Sequence, residues 1–415
     1  MDSRSLRKAE LRRGSIARGC GVAPRRLRAR ARVRLSGLRA PSARISLLVA
    51  LAACSSGGVE DRTPGDTPPP LAGTSAFVVT TDFQTGSFAV FPVLQPGAVA
   101  KNVERLHSDA VARVHGGLVY VVNRLGGDNV QALDPAAGYA TRWQCSVDNG
   151  SNPHDIAFAA PDKAYVTRYE RATLLIVDPT AGTDCARFVR GTIDLAALAD
   201  GDGLPEMDQA VVIDGKLYVT LQRLDRRNFF RPSDRSTIAV IDVATDALVG
   251  AIDLTGTNPF TETAGLVPDP ATGKLVVNEV GELGRLDDGG VERVDPAAMR
   301  AEGFFVTEQD LGGNVTDVVT IDDQHAYAIL LDEAARSRVV RFDPAARRVT
   351  NTLAAGDEFL VDVALAPDRA TLYLTDRTLK RPGVRRFAIA DDAELAPSPI
   401  DTGLPPFDVV FVAGP

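Results

Sequence analysis

KAYVTRYERATLLIVDPTAGT, Lys163 to Thr183, is one copy of a unit that recurs along most of the chain. It reads as an alternating strand with a Tyr-Val step, a short polar loop, a second apolar strand and an Asp-Pro turn. Its relatives are LVYVVNRLGGDNVQALDPAAG from Leu118, KLYVTLQRLDRRNFFRPSDRSTIAVIDVATD from Lys216 and KLVVNEVGELGRLDDGGVERVDPAAM from Lys274. HAYAILLDEAARSRVVRFDPAARR from His325 and TLYLTDRTLKRPGVRRFAIADDAE from Thr371 complete the set. The units start about 44 to 58 residues apart, the spacing at which four-stranded propeller blades repeat. The Tyr-Val strand fits the second of four strands, A to D, counted outward from the central channel. First strands then fall at 109–115, 155–161, 208–213, 262–268, 317–322, 362–366 and 408–413. The segment from Ser75 supplies second and third strands with no first before them, and PPFDVVFVAG at the end supplies a first strand with no second after it. Together they make seven blades over 75–415, all β, with the ring closed by the C-terminal strand pairing into the N-terminal blade.

Charge divides the chain. The net charge is −8, yet residues 1–44 hold 14 basic against 2 acidic side chains, and from Cys54 onward 32 basic face 52 acidic. An acidic folded part repels phosphate backbones, which argues against a nucleic-acid partner. Behind the basic run, Ile45 to Ala53 is an unbroken apolar stretch, ISLLVALAA. Nine residues are too few to span a bilayer, which takes about 20, and they suit the apolar region of an export signal. Leu51-Ala52-Ala53-Cys54 resembles a bacterial lipobox, with Cys54 as the lipid-bearing residue. That resemblance implies removal of 1–53 and a membrane partner through the lipid anchor. Ser55 next to Cys54 implies outer-membrane sorting. Residues 54–74, with Pro68-Pro69-Pro70, read as a flexible tether, and the first 32 or so residues exceed what a signal needs. The expected product is a monomeric envelope lipoprotein.

The repeats resemble those of the YVTN-type, lactonase-like seven-bladed propellers of bacterial envelope and archaeal surface proteins, over about 75–415. The resemblance implies a fold and brings no catalytic residue with it, since its motifs are packing features. A single Trp, Trp143, speaks against tryptophan-aspartate repeats.

Each first strand begins with an acid: Asp109, Asp155, Asp208, Glu262, Asp317, Asp362 and Asp408. Seven carboxylates around one channel mouth would repel one another and raise some pKa values unless compensated. A cation or small polar ligand at the mouth would compensate them, and so would backbone N–H groups at the blade junctions. Two departures from the repeat fall on the same face. LADGDGLPEMD gathers Asp200, Asp202 and Glu206 around glycines, as a calcium loop would, but without EF-hand spacing. QRLDRRNFFRPSDRS, from Gln222 to Ser236, sets Arg223, Arg226, Arg227 and Arg231 beside Phe229 and Phe230, the pattern of a docking loop. His154 points to this face as well, in the role of a hydrogen-bonding turn residue.

No nucleophile elbow, phosphate loop, paired-His motif or Cys-x-x-Cys occurs. No cofactor is therefore required, and calcium is the one cation the acids would suit. The expected function is a non-enzymatic binding or scaffolding module for a protein or small polar ligand. The alternative is a lactonase-like hydrolase whose mouth carboxylates hold a divalent ion. Cysteine counting in an exported chain pairs Cys145 with Cys185. Their strand register places them near opposite faces of neighbouring blades, and the pairing is kept as the expectation.

Overall fold

The computed structural model describes residues 73–182, 184–261, 266–269, 272–356 and 359–414. The expected signal region, Cys54, nearly all of the expected tether and Glu262 lie outside the described residues. The rest is a ring of seven antiparallel blades.

Blade 1 takes its A strand from the chain's end, Pro406–Val412, and its B, C and D strands from Ser75–Thr81, Gly86–Pro92 and Arg105–Leu106. Blade 2 runs Ala110–His115, Leu118–Asn123, Asn129–Asp134 and Ala140–Ser146. Blade 3 runs Pro153–Ala160, Lys163–Arg168, Thr173–Val177 and Val189–Asp194. Blade 4 runs Met207–Ile213, Lys216–Leu221, Thr237–Asp242 and Ala247–Asp253. Blade 5 runs Val267–Pro268, Leu275–Glu279, Gly290–Asp295 and Arg300–Thr307. Blade 6 runs Asn314–Thr320, Ala326–Leu331, Ser337–Asp343 and Arg348–Ala355. Blade 7 has ladder strands Leu360–Leu365, Thr371–Asp376 and Gly383–Ala388, edged by bridges from Val384 to Ile400 and from Phe387 to Glu394. Ser75 pairs with Val412 and Val79 with Asp408, which closes the ring as expected.

Strand alternation explains why blades stack. Successive side chains point to opposite faces of a sheet, so each B strand feeds two neighbours. Val166 joins the apolar layer between blades 2 and 3, with Val122, Trp143 and Phe188. Its neighbour Tyr165 joins the layer between blades 3 and 4, with Leu217, Val219 and Ile241. Seven such layers fill the seven junctions, and the core is the sum of them.

The repeat's polar residues hold the same junctions together. Tyr165 Oη donates to Asp246 at 2.6 Å, in the C–D turn of the next blade. Tyr218 reaches Pro296 O at 3.2 Å and Tyr327 reaches Asp392 at 2.6 Å in the same way. The Asp of each Asp-Pro turn accepts from its own loop: Asp134 from Ala136 N and Asp178 from Thr180 N, both at 2.9 Å. Pro then occupies the first turn position, where its missing N–H costs nothing.

Cys145 and Cys185 are joined by a disulfide, with their Cα atoms 5.3 Å apart. The register argument against them fails for a physical reason. Each strand is rotated by roughly 20–25° from its neighbour, so an outer strand lies steeply inclined to the inner one. A position late in the outer strand therefore moves sideways around the ring. Cys185 itself sits in a 3-10 turn, Cys185–Arg187, before the outer strand of blade 3. The bridge ties blade 2 to blade 3 beside Trp143 and Phe188.

Blade 5 carries an unusual burden. Glu279 and Glu292 are both fully buried. Val277 faces Glu292 across the ladder, so Glu279 is its diagonal neighbour on the same face, within reach of a long side chain. Glu292 accepts from Thr255 N at 2.9 Å and Thr255 Oγ1 at 2.6 Å. Burial first, and the Glu292 carboxylate second, push Glu279 well above the usual carboxylate range. Gly256 leaves room for it, since a Cβ there would stand 2.9 Å from Glu279 Oε2. A carboxyl whose folded pKa is raised binds its proton more tightly when folded. Its contribution is full below the ordinary value of about 4.5 and is lost as pH rises through the folded pKa. Glu279→Gln keeps the neutral shape and removes that loss. Thermal melts from pH 5 to pH 9 are expected to show a gap in favour of the variant that widens with pH, reaching about 2–4 °C or more at the alkaline end. A variant less stable at every pH would mean that Glu279 is ionised in the fold.

Candidate functional site

The channel mouth lies on the face formed by the D–A and B–C loops, and the six described acids stand at its level. Four of them turn sideways into the next blade. Asp408 Oδ2 accepts from Ala112 N at 2.7 Å, Asp155 Oδ2 from Ala210 N at 2.9 Å, Asp317 Oδ2 from Val363 N at 2.7 Å and Asp362 Oδ2 from Val409 N at 2.7 Å. All four are buried. The Thr of the Tyr-Val-Thr step completes the joint. Thr167 Oγ1 accepts from Asp155 N and donates to Asp208 O of the next blade, both at 2.8 Å. Thr375 does the same between Asp362 N, at 2.9 Å, and Phe407 O, at 3.4 Å. Burial raises Asp317 to about 8, against the pull of the bonds from Val363, Val318 and Thr261.

The remaining two described acids take side chains. Asp109 accepts from Arg124 Nε at 2.8 Å. Asp208 meets His154 Nδ1 at 2.8 Å and accepts from Gln222 Nε2 at 3.2 Å. The His154 ring stacks on Tyr169 at 4.5 Å, and Tyr169 Oη donates to Gln222 Oε1 at 2.8 Å. His154 Nε2 is buried without a hydrogen-bond partner.

A residue that sequence reasoning missed fills the interior. Arg113, on the A strand of blade 2, pairs with Asp155 Oδ1 of blade 3 at 2.8 Å and donates to Gln209 Oε1 of blade 4 at 3.0 Å. Its third bond, Nη1 to Ala112 O, is 2.9 Å long. One guanidinium thus links the inner strands of three blades and occupies the space beneath that part of the mouth. The available signal was a lone charge inside an apolar A strand.

The long blade 4 loop is ordered and knitted. Leu224–Asp225 pairs with Arg231–Pro232, and Arg226–Asn228 forms a 3-10 turn capped by Asp225. Arg226 is held by Glu170 and by Glu206 at 3.0 Å, with Asp202 at 3.9 Å, and lies over the Tyr169 and Phe230 rings. Burial pushes Glu206 up to about 7, with Arg226 pulling the other way. Arg231 pairs with Glu282 at 2.9 Å, and Arg223 donates to Arg235 O at 2.6 Å. Arg227 and Phe229 stay exposed at the tip. The acids of the preceding loop serve its own backbone: Asp200 accepts from Asp202 N and Asp202 from Leu204 N, both at 3.0 Å. Among the described residues, no group of three or more His, Cys, Asp or Glu is arranged to hold a metal ion. No helix of the described residues is long and apolar enough to cross a membrane. A cleft of about 320 Å³ beside blade 6, lined by Gly312, Asp332, Arg336, Arg338 and Gly356 among others, contains none of these residues.

No family model matches the chain, and no curated protein matches it. Solved structures do. Dihydro-heme d1 dehydrogenase NirN is similar at a TM-score of 0.51 and 14% identity, over 85% of this chain and 77% of that one. AztD from Citrobacter koseri is similar at 0.44 and 12%, over 82% of this chain and 98% of that one. BamB from Moraxella catarrhalis gives 0.44 and 14%, over 76% and 83%. At such identities the likeness is one of fold alone.

The Arg113–Asp155 pair is open to direct test. Removing one member of a buried ion pair typically costs about 3–5 kcal/mol because the other is left uncompensated. Arg113→Met and Asp155→Asn are each expected to lower stability in denaturant melts, and the double variant to lose less than the sum. Additive losses would show that the two side chains do not act as a pair.

Proposed function

We propose that this protein is an envelope-tethered, non-enzymatic binding module of the YVTN-type propeller kind, anchored through Cys54 to the outer membrane and presenting its channel mouth to a partner. The observation that carries the reading is where the chain enters the ring. Ser75 lies beside Val412, at the end of the A strand remote from Asp408. A tether joined there leaves from the face opposite the mouth, with a strand's length of roughly 20 Å between the two. The mouth, with Phe229 and Arg227 exposed on it, then faces away from the lipid.

Binding is favoured over hydrolysis because the carboxylates a hydrolase would use are already engaged. Asp155, Asp317, Asp362 and Asp408 hold backbone N–H groups of neighbouring blades. The hydrolase alternative draws on the His154–Asp208 pair and the open Nε2 of His154, which lies buried. A panel of lactones, with and without added calcium, is expected to give no turnover. Turnover lost in His154→Gln would favour the hydrolase.

The anchor has its own test. Cys54→Ala is expected to leave a folded protein in the soluble periplasmic fraction or the medium. Retention of that variant with the membranes would place the anchor elsewhere.

A further inference from the structure

Apolar side chains at the mouth are distributed unevenly. Phe83, Leu125, Phe229 and Leu379 are 52%, 64%, 70% and 82% exposed. Each stands at the tip of a B–C connection, on blades 1, 2, 4 and 7 in that order, so all four are on the mouth face. Three of them adopt a left-handed backbone, with φ of 65° at Phe83, 23° at Leu125 and 60° at Phe229. Turn chemistry favours Gly, Asn or Asp at such positions, and a large side chain there costs on the order of 1–3 kcal/mol. A bulky apolar residue kept at a strained, exposed tip is unfavourable for the fold by itself.

Charge is uneven as well, with the cations gathered on blades 7 and 4 while the blade 1 connection carries Asp82 and the blade 2 connection Arg124 and Asp128. The blade 7 connection adds Arg377, Lys380 and Arg381. The blade 4 loop, with Arg226 and Arg231 taken up by Glu170, Glu206 and Glu282, keeps Arg223, Arg227 and Arg235 against Asp225 and Asp234. The blade 5 connection carries Glu282, Asp287 and Asp288 against Arg285, and the blade 6 connection carries Asp332 and Glu333 against Arg336. The two acidic connections show no exposed large apolar side chain among the described residues. The patch also has a rigid base. The Arg377 guanidinium of blade 7 lies 4.5 Å from the Phe83 ring of blade 1 and 5.5 Å from Phe407, and donates to Thr81 O at 3.0 Å. Phe83 stands edge-on to Phe407 at 5.9 Å. A held aromatic beside cations is the make-up of a protein-binding hot spot.

We infer that the arc of Leu379, Phe83 and Leu125 on blades 7, 1 and 2, extended by Phe229, docks an acidic segment of a partner protein that inserts apolar side chains between the tips. Its cations complement an acidic occupant, whereas the surface elsewhere on this acidic chain would repel one. Arg113 fills the space beneath the blade 2–4 side of the mouth, so the segment lies across the rim. The choice of a protein over a lipid surface rests on the tethered reading proposed above, which turns this face away from the membrane.

The test pans a phage-displayed random peptide library against the purified full-length protein and measures selected peptides by fluorescence anisotropy. The expected peptides combine Asp or Glu with Leu, Phe or Trp, and their binding weakens as salt rises. Affinity is expected to fall about tenfold or more in Lys380→Glu/Arg381→Glu and in Phe83→Gly/Leu125→Gly. Phe83→Gly gives up the ring's contacts with Arg377 and Phe407. Leu125→Gly alone, which relieves a left-handed backbone at an exposed tip, is therefore measured beside the double variant. It is expected to melt no lower than the wild type while binding more weakly, which separates docking from folding. No enrichment, neutral or basic peptides, or unchanged affinity in both variants would overturn the inference. So would sedimentation with vesicles of about 30% phosphatidylglycerol that both variants abolish, which would assign the surface to lipid. Because the peptide assay needs no anchor, a failed Cys54 experiment and a failed docking experiment remain distinct.

Discussion

A blade cannot bury both of its faces alone, so the whole ring depends on how one inner strand is joined to the next. At four of the described junctions the joint is a carboxylate at the head of the A strand that reaches across to a backbone N–H of the following one, as Asp362 does to Val409 and Asp408 to Ala112. Two oxygens on one short side chain make this possible. In Asp155, Oδ1 takes Ile156 N and the Arg113 guanidinium while Oδ2 takes Ala210 N. An apolar residue there would leave a buried N–H without a partner, at a cost of about 1–3 kcal/mol. Where a junction departs from the pattern, another group compensates, as Arg124 does for Asp109 and His154 with Gln222 for Asp208.

The Tyr and the Asp-Pro turn of the repeat belong to the same logic at the other end of the strands. Tyr165 and Tyr327 span to Asp246 and Asp392 of the next blade. Burial, aided by those carboxylates, holds both phenols far above their ordinary pKa, so they remain donors throughout the physiological range. The blade 3–4 junction is fastened at the mouth by Thr167 and Asp155 and at the opposite face by Tyr165, with an apolar layer between. The repeat in the sequence is therefore the repeat of a joint more than of a surface.

That explains what was legible. The blade count, the closure by Pro406–Val412 and A strands such as Met207–Ile213, expected at 208–213, follow from period-two alternation and a recurring spacing. The acids of the A strands were legible as a set because the joint repeats. Their orientation was not, since strand periodicity does not tell a side chain aimed at the next blade from one aimed at the opening. Arg113 was missed because its partners, Asp155 and Gln209, lie one and two blades away in the first-strand series and meet it only through ring curvature. The arginines of the blade 4 loop looked like free charge because Glu170, Glu206 and Glu282 come from three other connections. The pairing of Cys145 with Cys185 was legible from cysteine counting, while their register set them on opposite faces because twist accumulates outward, a property of the sheet as a whole.

The pairing of Ser75–Thr81 with Pro406–Val412 also orders events in time. The two partners are separated by more than 300 residues, so bringing them together carries a loop-closure cost on the order of 5 kcal/mol, greater than for any contact within a blade. Neighbouring hairpins form locally and early, whereas the edge of the first sheet stays bare until the last strand arrives. During that interval Ser75–Thr81 offers an unpaired, apolar template to other chains. The last strand, Pro406–Val412, therefore decides whether the product is a sealed ring or a sheet with a bare edge.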